Sequence, residues 1–334
     1  AALGNLRVEG TLRFAAADVE LKAAAIQVSG ALQIGSAVQP HLHRATITLT
    51  GAPLTSGNNG VARGLNVQNG GKLELHGAIP QPVWTRLGDH AQAGSSQLAL
   101  AAAANWRAGD TIAVGPSDFY GVAATERLTL ASDASGQRLA TRSPLSAARW
   151  GRLQHATSKG MSLTPEPGYA PPAGPAPTVL DERAPVANLT RNIVIQGVDD
   201  GAWRANGFGA HVMVMGLQSK VVIDGVEMRR MGQSGTLGRY PMHWHMLSYA
   251  NGSFVGDAAG HSIKNSAIWQ SAQRCIVLHA TNGVEVRNNI CHDIAGHAYF
   301  LEDAVERRNV LEGNLALLVR SPAQGKALKI HETP

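Results

Sequence analysis

The feature that most constrains this chain is a spacing. In the C-terminal half the segments SIKNSAIW, VEVRNNIC and NVLEGNLAL recur about every 22 to 24 residues, with VVIDGVEM in the same register and no helical stretch between them. A unit so short cannot bury its own apolar face and does so only by stacking on its neighbours, as the coils of a parallel β-helix do. Asn265, Asn289 and Asn314 fall at near-equivalent places in these repeats. A ladder of asparagines inside the turns would satisfy backbone groups otherwise buried without partners.

The first 80 residues read as short alternating strands (LRVEG, TLRF, AAIQVSG, ALQIG, ATITLTG, GLNVQNG, KLELHG), each closed by a turn former. From 95 to 130 the strand pattern continues, and the Ala run before the Gly-Asp turn is expected as strand and loop. LTPEPGYAPPAGPAPT is too rich in Pro and Gly for a helix or a central strand. The expected organisation is an all-β chain: a β-rich module over 1–162, a loop or linker over 163–190, and a right-handed parallel β-helix over 191–334. With 37 Gly and only 16% charged residues, composition agrees with many strands joined by turns, and 44% apolar residues suffice for a sizeable core.

Seven of the 13 histidines lie between 211 and 297. In YPMHWHM, His243 and His245 are two apart, so on a strand both rings leave the same face. His279 ends the strand CIVLH one repeat later and His297 opens HAYFLED in the next. Adjacent coils lie about 4.8 Å apart, so side chains at stacked positions can converge. Imidazoles bind zinc at about 2.0 Å, and a carboxylate commonly completes or orients such a set. The expected site is therefore a divalent metal, zinc or alternatively calcium, on His243, His245, His279, His297 and Asp303, with Glu302, Asp303 and Glu306 as the catalytic carboxylates. His211, at a strand start, is within possible reach of the same face. His261 and His292 read as loop residues, and His41, His43, His76 and His90 as surface residues. Cys275 shares the strand parity of His279, but a buried free thiol is its commoner role. A Cys275–Cys291 bridge stays open.

The strings GALQIGSAVQP, HRATITLTG and GGKLELHG resemble the eight-glycine domain family, which includes fibrocystin and the cell migration-inducing hyaluronan-binding protein. The resemblance continues through WRAGDTIAVGPSDF, RAPVANLTRNIVIQG, RRMGQSGTLGRYPMHWHM and RCIVLHATNGVEVRNNICHDIAGHAYFLEDAVERRN. It implies an eight-glycine domain leading into a right-handed β-helix, secreted or cell-surface placement, and an association with hyaluronan. It also implies counterparts in the hyaluronan protein of His211, His243, His245, Cys275, His279, His297, Glu302 and Asp303. A large domain inserted after that protein's first strands is missing here, and the chain stops at KIHETP where the animal proteins run on. The Ala-rich, Lys-poor composition reads as bacterial.

A net charge of +5 favours an anionic partner. The Lys and Arg are scattered, which also fits an ordinary, mildly basic surface; the partner expected is an acidic polysaccharide and not nucleic acid. No run of apolar residues is long enough for a transmembrane helix. The leading expectation is a polysaccharide hydrolase or lyase. Its rivals are a glycan-binding or adhesion module with a structural histidine cluster, and a solenoid segment of a larger surface protein. Oligomeric state is left open.

Overall fold

The computed structural model describes residues 2–53, 62–117 and 125–328. The terminal KIHETP lies outside them. The chain forms two compact units, one of residues 1–79 with 189–334 and the other of residues 80–188.

The first unit is the right-handed parallel β-helix, and it starts in the eight-glycine segment. Its coils contribute to three faces. Sheet A runs through Ala45–Leu49, Ile193–Gly197, Val226–Met231, Ala267–Ser271, Ile290–Ala295 and Leu315–Arg320. Sheet B runs through Leu3–Val8, Gly64–Val67, His211–Met215, Met242–His245, Ile276–His279 and Tyr299–Leu301. The ten-residue strand Val19–Val28 belongs to both: Val19–Ala23 pairs with Ala45–Leu49, and Ile26–Val28 pairs with Leu65–Val67. Sheet C has seven strands, from Thr11–Arg13 to Val310–Glu312. Sheets A, B and C all cross from the segment before residue 79 to the segment after 189 without a missing rung.

Alternation within each strand sends one row inward. On sheet B that row is Val28, Val67, Val214, Trp244 and Leu278, stacked in register and all buried. Each such side chain contributes roughly 1.5–3 kcal/mol of burial free energy. The asparagine ladder exists with one member shifted. Asn289 Nδ2 donates to Asn314 Oδ1 at 3.0 Å and to the Ile263 carbonyl at 2.9 Å, while its Oδ1 accepts from the Ser266 amide at 3.1 Å. The preceding rung is therefore Ser266. Asn265 instead occupies a left-handed turn at φ 50° and donates to Asp224.

Three further expectations are corrected. Cys275 and Cys291 form a disulfide, so Cys275 is neither a free thiol nor a thiolate ligand. His41, His261 and His292 are buried, not surface residues. The Trp244 indole N–H donates to His261 Nδ1 at 3.1 Å, and His292 lies within the strand Ile290–Ala295.

The second unit has its own core around Trp106, Ile112, Val114 and Val186. Thr111–Val114 is flanked by Glu126–Thr129 and Pro185–Asn188, both antiparallel. The Ala run at 101–104 forms no helix, and 163–178 carries no strand. The compact units divide at 79/80 and 188/189; the second division lies within the segment 163–190 expected as a loop or linker, and the first lies inside the module expected over 1–162. A six-residue helix, Gly201–Asn206, is the only one among the described residues.

Candidate functional site

The site stands on the outer face of sheet B. Trp244 points into the core, so its neighbours His243 and His245 point out. The register places Met213, His243 and Val277 on one rung line, with Met215, His245 and His279 on the next. The residues that follow each strand, Gly216, Met246 and Ala280, all have positive φ, 78°, 54° and 45°. These three coils thus turn at the same place, leaving His245 and His279 at the ends of their strands. The segment 232–241 folds over His243 and closes a cleft of about 330 Å³, lined also by Asn66, Gln68, Arg239 and Glu302.

Hydrogen bonding sets the tautomers. The Gly238 carbonyl can only accept, so His243 Nδ1–H donates to it at 3.0 Å. His243 Nε2 then carries a lone pair, buried and without a partner. The Asp303 carboxylate lies 3.0 Å from His279 Nε2, which makes that nitrogen the donor. His279 Nδ1 is left to accept, and His245 Nδ1 lies 3.0 Å from it. Ligand-capable nitrogens of the three rings all fall within 4.8 Å of one another. Burial, reinforced by His245, holds His243 well below the ordinary imidazole range. Burial first, then His279 and Arg239, lowers His245, with Asp303 opposing. His211, fully buried, is lowered to about 3 by desolvation and Arg239. Neutral imidazoles with open lone pairs are what a cation requires.

The other expected residues fall elsewhere. His297 is outside the three-ring group: Cys275 N donates to its carbonyl at 2.9 Å, and its ring packs on Phe300 with centroids 4.5 Å apart. The rung partner of His243 two coils on is Phe300, so His297 sits three residues early, ahead of the strand Tyr299–Leu301. Asp303 stands behind His279 as an orienting partner and is not in the nitrogen cluster. Glu306 accepts from the backbone amides of Ala280 at 2.8 Å and Asp303 at 3.1 Å. It braces the turn after His279 and does not line the cleft. Glu302 does line it. Glu302 Oε1 accepts from Arg274 Nη1 at 3.3 Å and from the Tyr240 hydroxyl at 3.4 Å, while Oε2 is buried without a partner. Arg274 is itself buried over the Phe300 ring, 4.0 Å from its centroid.

Asn66, Arg239, Tyr240 and Arg274 were not singled out from the sequence. Arg239 and Tyr240 carried a signal, their adjacency to MHWHM. Asn66 carried none, because only the parallel register brings it to the cleft.

Residues 1–88 match the G8 domain and residues 207–332 match the CEMIP beta-helix. The chain is thus an eight-glycine-domain protein whose solenoid is of the CEMIP type. Among its relatives, Fibrocystin-L of Mus musculus is 35% identical over 93% of this chain, which spans 8% of that protein's length. Cell surface hyaluronidase CEMIP2 of Homo sapiens is 39% identical over 42% of this chain, which spans 11% of its length. These relatives do not bear out a bacterial origin. A tailspike, gp61 of Pseudomonas phage phi297, aligns over 84% of this chain and 44% of its own at 12% identity, with a TM-score of 0.26.

Proposed function

We propose that the cleft depolymerises an acidic polysaccharide, with His243, His245 and His279 holding a divalent metal. The observation that carries this reading is the lone pair of His243 Nε2, buried and unpartnered beside two further imidazoles. An orphaned buried acceptor costs about 1–3 kcal/mol unless a ligand meets it. The ligand-capable nitrogens of His243, His245 and His279 lie within 4.8 Å of one another, so these three side chains would hold the ion. An all-nitrogen donor set suits zinc, whereas calcium takes oxygen ligands.

Bound there, the metal would supply Lewis-acid stabilisation of charge at the substrate. Asp303 orients His279 through the ring nitrogen away from the cluster. Arg274 and Tyr240 fix Glu302 by one oxygen and leave the other for proton exchange. Arg239 gives the cleft a positive wall for an acidic sugar. Placement outside the cell or on its surface is supported by the disulfide and by the relative named a cell surface hyaluronidase. Among the described residues no helix is long and apolar enough to cross a membrane.

A second reading is a non-catalytic glycan-binding module. It is favoured by the extent of the match to the relative named a hyaluronidase, which covers only 42% of this chain.

The test is elemental mass spectrometry of the purified chain beside a His243→Ala/His279→Ala double variant, with hyaluronan digestion followed by size-exclusion chromatography. About one zinc per chain in the parent and a loss of at least tenfold in the variant is expected, with shortened hyaluronan from the parent alone. Ultraviolet absorbance of an unsaturated sugar would mark elimination, and new reducing ends without it hydrolysis. Absence of metal from both proteins would sink the metal assignment. Bound but intact hyaluronan would transfer the function to the binding module.

A further inference from the structure

Sheet B does not end at the histidines. Its outward row continues toward the N-terminus through Met213, Asn66, Gln27 and Arg7, each in register with the next. Gln68 lines both the histidine cleft and a neighbouring pocket of about 360 Å³ formed with Arg7, Glu9, Gln27, Ser29 and Asn69. The two depressions are therefore contiguous on one face. Asn66 is only 3% exposed, and its Oδ1 is buried without a partner where it lines the cleft. A second orphaned acceptor thus opens into the same space as His243 Nε2, and it comes from the eight-glycine segment.

We infer that the eight-glycine coils supply a distal subsite in which Asn66, Gln68, Gln27 and Arg7 bind a linear, carboxylate-bearing polysaccharide running along the solenoid axis into the histidine cleft. The inference rests on the glycan reading of that cleft. Amide side chains donate and accept at once, which matches secondary hydroxyls and acetamido groups, and a guanidinium grips a carboxylate by two parallel hydrogen bonds. From the rung of Arg7 to that of His243 is four steps of about 4.8 Å, or about 19 Å. A ligand that meets both ends must be a polymer, and Asn66 lies between them.

The experiment is calorimetric titration with hyaluronan oligosaccharides of four and ten sugars against the parent, Asn66→Ala and Arg7→Ala/Gln27→Ala. The parent is expected to bind the longer chain at least tenfold more tightly. The double variant should lose at least fivefold for the ten-sugar chain and nothing for the four-sugar one. Asn66→Ala should weaken both by about fivefold while unfolding at the same or a higher temperature, an outcome that a purely structural asparagine would not give. Affinity independent of length, with variants that bind as the parent does, would overturn the subsite and leave the cleft reading standing. A parent that binds neither length would overturn both.

Discussion

At the residue scale the site is governed by which nitrogen of each imidazole is left open. His243 and His279 each donate from one nitrogen to a fixed acceptor, Gly238 O and Asp303, and each presents the other to the cluster. A different use of imidazole is seen at His261, whose Nδ1 accepts the Trp244 indole N–H beneath the site. Burial, with a smaller contribution from Lys220, lowers His261 to about 4 from 6.5. A base depressed in the folded state takes up its proton first in the unfolded chain. Its contribution is nil above pH 6.5 and turns destabilising as pH falls from there to about 4, reaching about 3 kcal/mol. His261→Asn keeps an acceptor for the indole and cannot titrate. Its urea midpoint should fall less steeply between pH 6.5 and 4 than the parent's, and parallel curves would refute the assignment. The histidine pair of MHWHM and His279 were legible because a period of two fixes the face of a strand. His297 was misread because the face says nothing about the position along it, which is set by the rung pairing of Ile276 with Tyr299.

At the element scale each coil repeats a set of turns. Gly225, Asn265, Asn288 and Gly313 all take positive φ between sheets C and A, with Ser266, Asn289 and Asn314 just inside the turn. The recurrence of Asn was visible in the sequence, but two adjacent positions of different function share that preference. One is a left-handed turn and the other a ladder rung, and the pattern NS, NN, GN does not by itself say which is which. Energetics separates them. Asn289→Ala strands the Ser266 amide and the Ile263 carbonyl in the core, at about 2–4 kcal/mol. Asn265→Ala loses one part-exposed contact and places alanine in a left-handed turn, at about 1 kcal/mol. Urea unfolding of both variants measures the difference, and equal costs would contradict the ladder as placed. The disulfide acts at this same level: it ties Cys275, just ahead of the strand that carries His279, to the next coil.

At the scale of the whole molecule, the eight-glycine segment and the β-helix are one solenoid. Ile193–Gly197, His211–Met215 and Lys220–Asp224 each pair directly with a strand that precedes residue 79. The strand-rich character of both halves was legible, but their continuity was not, since nothing local in a sequence records pairing across a hundred intervening residues. The same blindness hid Asn66, and it hid the division at 79/80. The chain leaves the solenoid at 79 and rejoins it at 189, within the segment 163–190 whose Pro and Gly content marks a loop or linker. Residues 80–188 have a separate core, in which Trp106 is 1% exposed and its indole N–H donates to the Pro82 carbonyl at 2.7 Å. Two cores without shared members should unfold as two cooperative units. Trp106→Ala removes the largest side chain of the smaller core, at about 3–5 kcal/mol. Hydrogen exchange should then accelerate in peptides from 80–188 and stay at the parent rate in those spanning Ile263 to Ile290, where the asparagine ladder lies. Loss of protection in both sets would show that the chain unfolds as a single unit, with the inserted residues contributing to the stability of the solenoid that carries the site.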